Sequence, residues 1–145
     1  MLISDLLRRK GVEVVTVSPQ TSVRDLVALL TDRAIGAAVV SSDGVHVEGM
    51  VSERDVVIAI ARRGAAVLSE HIELIMTPQV HTCALDAKVD DLMRLMTEQR
   101  VRHVPVVVDD TLRELISIGD IVKSRMDQLE LERDALRGYI ISSGG

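Results

Sequence analysis

Gly49-Met-Val-Ser52-Glu-Arg-Asp55 returns later in the chain as Glu114-Leu-Ile-Ser117-Ile-Gly-Asp120, each time an apolar run that ends in Ser-x-x-Asp. Outward from this pair the two halves of the chain keep matching. Val23, Asp25, Leu26, Leu29 and Thr31 recur 66 positions on as Val89, Asp91, Leu92, Leu95 and Thr97, and Thr16 recurs as Thr82. The Ser-x-x-Asp runs lie 65 apart. One residue fewer between two strands of the second copy accounts for the slip, because loops tolerate length changes. A repeat of this length decides the architecture before local propensity is consulted.

Both copies read the same way. A short β-branched strand, Val14 to Val17 or Val80 to Cys83, leads through a polar turn into an amphipathic helix. The apolar face of that helix is Val23, Leu26, Val27 and Leu30 in one copy and Val89, Leu92, Met93 and Met96 in the other. A second strand follows, Ala37 to Ser41 or His103 to Val108, then a turn carrying Asp43-Gly44 or Asp109-Asp110. The Asp-Gly pair is a hairpin signal. A third strand, Glu48 to Val51 or Leu112 to Ile116, ends at a second helix, Glu53 to Arg63 or from Ile118 onward. The fold class is α+β, with the order β-α-β-β-α twice. A unit of this size buries its faces poorly alone, so the two are expected to pack through their sheets with pseudo-twofold symmetry. Residues 8–66 make the first repeat and 74–126 the second. Residues 127–145 are a C-terminal helical extension, helical from Lys123 to Tyr139, whose tail from Ser142 is expected to fray.

Composition narrows the partners. With one Tyr and neither Phe nor Trp, the core is aliphatic and no aromatic platform exists on which single-stranded bases could stack. A net charge of −5 argues against a phosphate backbone as partner. No apolar run is long enough to span a membrane, and the charged first ten residues do not read as a secretory signal. A single cysteine allows no internal disulfide and suits a reducing compartment. A cytoplasmic protein without nucleic-acid or membrane partner is expected.

The repeated Ser-x-x-Asp has two physical readings. As a capping box, the Ser caps a helix and the carboxylate three residues on reaches back to the Ser amide; Ser22-Val-Arg-Asp25 has the same spacing. As a binding element, the Asp accepts hydrogen bonds from two ribose hydroxyls beside a helix start that favours phosphate. Arg54, Arg100, Arg102 and His103 are the cations at hand. His81 and Cys83, with His71 or His103, match no zinc spacing, so no metal is expected. Ser117 beside His103 lacks an orienting group and an oxyanion hole, and phosphate-cradling glycine motifs are absent. The chain does not read as an enzyme, and no catalytic cofactor is expected.

Val101-Arg-His-Val-Pro-Val106 with Leu115-Ile-Ser-Ile-Gly-Asp-Ile-Val122, and Ile35-Gly-Ala-Ala-Val39 with Gly49-Met-Val-Ser-Glu-Arg-Asp55, carry a resemblance. Together they resemble a pair of cystathionine-β-synthase (CBS) domains, in the form of the small stand-alone bacterial CBS-pair proteins. The likeness covers nearly the whole chain. It implies a non-catalytic regulatory module that binds an adenosine-containing ligand between its repeats and signals to an unidentified partner protein, as in energy sensing. AMP is the first choice; ADP, ATP, NADH and S-adenosylmethionine are the others. Carried over by motif, Asp120 would hold the ribose hydroxyls and Ser117 the ribose or phosphate. Thr82 would meet the adenine or ribose, Arg102 and His103 the phosphate side, and Val101 and Pro105 would wall the base. Arg54 would reach across from the first repeat. A weaker second site would use Thr16, Ile35, Ser52 and Asp55, where Ile35-Gly-Ala-Ala-Val39 brings no Arg, His or Pro. Glu114 departs from the family's preferred glycine, which Gly49 keeps. The resemblance also implies a homodimer. The last helix, with Val122, Met126, Leu129, Arg133, Leu136 and Ile140 at alternating spacings of 4 and 3, offers a seam for it. The alternative is a constitutive dimerisation or scaffold module with a vestigial cleft.

Overall fold

The computed structural model describes residues 1–8 and 14–144, with side chains as far as 141. In chain order the elements are α1 (Ile3–Leu7), β1 (Thr16–Val17), α2 (Val23–Arg33), β2 (Ala37–Val40), β3 (Gly49–Ser52) and α3 (Glu53–Arg63). Two short 3-10 turns, Ala65–Ser69 and Ile72–Leu74, follow, and then α4 (Val89–Gln99), β4 (His103–Val108), β5 (Thr111–Ser117) and α5 (Ile118–Gly144). The start of the first repeat at residue 8 and the last residue of the tail border on, or lie in, the part outside the described residues.

The helices repeat as faithfully as the letters do. α2 and α4 begin 66 residues apart, have equal length, and end on a left-handed residue, Ala34 (φ 53) and Arg100 (φ 54). That residue turns each chain into the following strand, where Ile35 and Val101 donate back to the carbonyls of Leu30 and Met96. The apolar spacing buries Val23, Leu26 and Leu30 in one helix and Val89, Leu92 and Met96 in the other, while Val27 stays exposed.

The sheets are less equal. β1 runs parallel to β2, and β2 antiparallel to β3. In the second copy β4 and β5 pair antiparallel, but the strand expected over Val80 to Cys83 shrinks to one parallel bridge between Cys83 and Val106. Proline explains the loss. In the first copy the amide of Val39 donates to Val15 at 3.3 Å; 66 residues on, the donor would be Pro105, which has no N–H. What survives is Cys83 N to Pro105 O at 3.0 Å and Val107 N to Cys83 O at 2.9 Å.

The hairpins also differ from expectation. The two-residue turn with both central φ positive is Asp109-Asp110 (φ 50 and 61), joining Val108 to Thr111, which is the primed geometry that matches strand twist. Asp43-Gly44 instead lies inside a longer loop between Val40 and Gly49. There Asp43 Oδ1 accepts from the amides of Val45 (2.8 Å) and His46 (2.9 Å), and Gly44 takes φ 75. α5 continues as one helix to Gly144, past the expected fraying point.

Two aliphatic cores result. Ala38, Val40 and Val51 face α2 and α3 in the first; Val104, Val106 and Ile116 face α4 and α5 in the second. Alternation along a strand sends the next residues to the other sheet face. There Ala37, Val39 and Pro105 are buried outside both cores, which sets the sheets back to back.

Each core borrows a segment from outside its own β-α-β-β-α unit. Ile3 and Leu6 are buried among Val89, Leu92 and Met96, whereas Val67 and Ile72 are buried among Val23, Leu26 and Leu30. The docking bonds are alike. Ile3 N donates to Ala87 O at 2.9 Å and Val89 N to Met1 O at 3.0 Å; Ile72 N donates to Thr21 O at 2.8 Å and Val23 N to Glu70 O at 2.9 Å. The segment ahead of the first repeat thus completes the second, and the segment ahead of the second completes the first.

Candidate functional site

Both Ser-x-x-Asp runs fold as capping boxes of matching geometry. Ser52 N donates to Asp55 Oδ2 at 2.8 Å and Ser52 Oγ lies 3.1 Å from the same oxygen; Ser52 Oγ accepts from Asp55 N at 3.3 Å. In the second copy the distances are 2.8, 3.0 and 3.2 Å for Ser117 and Asp120. Ser22 caps α2 by accepting from Asp25 N at 3.1 Å. The capping and binding readings are compatible, because the box uses one carboxylate oxygen. Asp55 Oδ1 has no hydrogen-bond partner among the described residues.

Each capping box opens on a cavity walled by both repeats. Ser117 and Asp120 line a cavity of about 360 Å³ together with Val14, Val15, Ile35 and His103, and with Glu114 at its wall. Ser52 and Asp55 line a cavity of about 350 Å³ with Arg54, His81, Arg100 and Arg102. Volumes of this order suit a small molecule. The pseudo-twofold arrangement therefore crosses the repeats, joining the carboxylate of one to the α-to-β turn of the other.

That crossing regroups the residues picked from the sequence. Asp120 and Ser117 share a cavity with Ile35 and with His103, but not with Arg102 or Arg54. Arg102 and Arg54 stand with Asp55 and Ser52, and Val101 joins them. His103 lines both cavities. It and Arg102 can flank one site because β4 begins at His103, so strand alternation does not yet apply to Arg102. Three residues stand apart from both cavities. Thr16 is half-buried within β1, Thr82 is exposed beside the single bridge, and Pro105 is fully buried between the sheets.

Sequence reasoning passed over Gly36 and Glu53, and weighed His81 only as a metal ligand, whereas all three line the Asp55 cavity. Gly36 borders both cavities, and a Cβ there would lie 3.5 Å from Glu53 Oε1 and 3.8 Å from His103 Cε1. Its place in the repeat was the available signal, since it matches Arg102. Gly36 O accepts from Glu53 N at 3.0 Å, just as Arg102 O accepts from Ile118 N at 2.8 Å.

Burial pushes the Cys83 thiol up to about 11, so it stays protonated at neutral pH and is a poor metal ligand. Among the described residues no three His, Cys, Asp or Glu side chains gather as metal ligands would, and no helix is long and apolar enough to cross a membrane.

Fold and paired capping boxes define a two-repeat module with a cavity at each crossing, and comparison with known proteins gives the family. The CBS domain family matches twice, over residues 3–62 and 70–127, so the chain belongs to the CBS domain family. It is 32% identical over 146 residues to the mitochondrial CBS domain-containing protein CBSX3 of Arabidopsis thaliana, covering 95% of this chain and 71% of that one. The CBS-domain protein ATU1752 from Agrobacterium tumefaciens superposes with a TM-score of 0.82 at 45% identity, covering 86% of this chain and 99% of the other. The CBS domain protein PAE2072 from Pyrobaculum aerophilum, solved as a complex with AMP, gives 0.76 at 25% identity over 92% and 99%.

Proposed function

We propose that this chain is a non-catalytic regulatory module that binds an adenosine-containing ligand in the clefts between its repeats. The observation that carries the reading is the paired geometry. At each crossing a capped Asp stands at a helix start facing the opposite repeat across a cavity of nucleoside size. At Asp55 the second carboxylate oxygen can accept from a ribose hydroxyl while the first holds the helix cap. A relative of the same family is seen with AMP, which makes AMP the first ligand to try. A ligand bound there touches both repeats, so it favours one relative orientation, and a partner protein that prefers that orientation reads the signal through linkage.

The test is thermal unfolding of the purified chain with AMP, ADP, ATP, NADH and S-adenosylmethionine, alongside Asp55→Asn and Asp120→Asn. Asparagine still accepts from the capping amide but lacks the carboxylate charge. A ligand at about a hundred times its dissociation constant adds roughly 2.7 kcal/mol, several degrees for a chain of this size. The expected result is a shift for at least one ligand that an Asn variant removes. No shift with any of the five, in protein freed of carried-over nucleotide, defeats the proposal.

A second reading has its own observation. Val57 on α3 and Val122, Met126, Leu129, Leu136 and Ile140 on α5 are large apolar side chains left exposed. On α5 these residues fall at alternating helical spacings broken only by Arg133, the pattern of an association seam, so the module is proposed to pair with a second copy through its helices. A dimer in sedimentation that persists without nucleotide, together with no ligand shift, favours the constitutive dimerisation module instead.

A further inference from the structure

The last helix reaches beyond the module that carries it. Ile121 and Ser124 are the last buried side chains of α5 among the described residues, and from Leu129 to Ile141 every side chain is exposed. At a rise of about 1.5 Å per residue this arm is about 20 Å long. Leu129, Leu136 and Ile140 on the arm continue a stripe that Val122 and Met126 begin on the module, all of them exposed. A helix draws most of its stability from packing such a face. In heptad terms Met126, Arg133 and Ile140 hold the a positions, and Val122, Leu129 and Leu136 the d positions.

The charges that flank this seam match a second copy of it. Arg125 and Glu132 precede a positions, and Glu130 and Arg137 follow d positions. Within one chain Arg125 and Glu132 reach the neutral Gln128, at 3.1 and 3.5 Å, contacts that an opposite charge displaces. In a parallel pair a residue just before an a position meets the residue five further on in the other helix. Arg125 then faces Glu130 of the partner subunit, and Glu132 faces Arg137 of the partner subunit. Opposite charges meet at both steps, and by symmetry each pair forms twice. Arg133, whose own chain offers Asp134 at 3.5 Å, enters the seam beside Glu132 of the partner subunit. A polar residue at a single a position favours two strands in one register.

An antiparallel pair is less favourable. It covers all six seam positions only by setting Lys123 against Arg137, and Glu130 and Glu132 each against its own twin. Like charges so placed act against association. Sliding the pair by one heptad removes these clashes but leaves one end of the seam bare, either Val122 and Met126 or Leu136 and Ile140. We infer that the arm of α5 forms a parallel, two-stranded coiled coil with a second copy of this chain, so that second repeat stands beside second repeat. This orientation rests on the pairing through helices proposed above and adds its direction and register.

Sedimentation equilibrium of the full chain tests it, with Leu136→Asp, Glu132→Arg, Arg137→Glu and the double variant Glu132→Arg with Arg137→Glu alongside. All three positions are exposed and lie past the last buried residue, so the module folds without them. The parent is expected to be a dimer. Leu136→Asp, which puts a carboxylate into the seam, weakens it roughly tenfold or more. Glu132→Arg and Arg137→Glu each weaken it about four- to thirtyfold at low salt and less at high salt, and the double variant returns to within about threefold of the parent. That mutual rescue is specific to the parallel register, because an antiparallel pair never sets residue 132 against residue 137. A dimer that ignores Leu136→Asp overturns the arm as the contact, and charge variants that do not rescue each other overturn its direction; both outcomes spare a dimer formed through other helical faces. A chain that is monomeric at every concentration overturns the arm pairing and the helix-mediated dimer together.

Discussion

A methyl group on Gly49 would lie 2.8 Å from Met76 Sδ and 2.9 Å from the carbonyl oxygen of Thr77. The methionine tip could move, but the carbonyl could not. Thr77 is held by a reciprocal backbone pair to Met50, at 3.0 and 2.8 Å. Gly49→Ala is therefore expected to cost about 1–3 kcal/mol by overpacking, read as a lower urea midpoint with an unchanged slope; a neutral substitution would mean that this strand pair yields. A second residue-scale device sits at the hairpin tips. His46 Nδ1 meets Asp43 Oδ2 at 2.6 Å, and its Nε2 stands 3.8 Å from Asp110 Oδ2 in the other repeat. Bonds from the backbone and side chain of His46, then the Val45 amide, hold the Asp43 carboxyl well below the usual carboxylate range. The bond to Asp43 and the charge of Asp43, with Asp110 and Glu48 adding, raise His46 above 6.5. The folded state thus binds this imidazole proton more tightly than the unfolded chain does. Its stabilisation is complete below about 6.5 and is lost as pH rises through the higher folded value. The Asp43 contribution holds above its ordinary carboxyl value and fades only as acid protonates it. The stability gap between the native chain and His46→Asn should then shrink from mildly acidic to alkaline pH and be reduced by salt; a gap constant with pH removes the charge argument.

At the scale of elements, the repeat carried most of the architecture. Apolar spacing at 23, 26 and 30 and again at 89, 92 and 96 placed α2 and α4. The Ser-x-x-Asp runs placed the starts of α3 and α5, because a cap is a local event and its signal is local. The missing strand shows where local reading stops. Val80 to Cys83 has strand-like composition, yet its pairing depends on a donor that residue 105 lacks. Pro105→Val restores that donor at similar volume. The new hydrogen bond is worth about 0.5–1.5 kcal/mol, and the greater freedom of the unfolded chain offsets about 0.4–1 kcal/mol of it. Stability is accordingly expected to stay within about 1 kcal/mol of the parent. The amide introduced at position 105 should exchange slowly with solvent, bonded to His81 O as Val39 is to Val15. Fast exchange there would mean that something other than proline ends the strand. Also hidden was the docking of α1, whose counterpart is Ile72–Leu74 with its flanks: Ile3 and Leu6 answer Ile72 and Ile75 at a spacing of 69 instead of 66. Two apolar positions in a shifted register are too few to stand out from chance.

For the whole molecule, spacing along the chain tells which residues are equivalent but not which are neighbours. Asp120 and Arg102 lie in one repeat, and the motif carried over from the family resemblance grouped them; the pseudo-twofold places Arg102 in the cavity of Asp55. The same crossing operates in the cores, and it makes the halves mutually dependent. Ile3 has no exposed surface and lies among Val89, Leu92 and Met96 of the second core, 86 residues or more along the chain. Ile3→Ala should cost about 2–5 kcal/mol through lost burial and the cavity left behind. Its place in the fold predicts how that loss is distributed. Amides of α4 and β5 should exchange faster while those of α2, whose core holds Ile72 instead, keep more of their protection. Ile72→Ala should give the mirror image, loosening α2 before α4. If either variant accelerates exchange uniformly in both repeats, the two cores open as a single unit. The clefts between them would then open only together with the whole fold, leaving no room for one repeat to shift on the other in response to ligand.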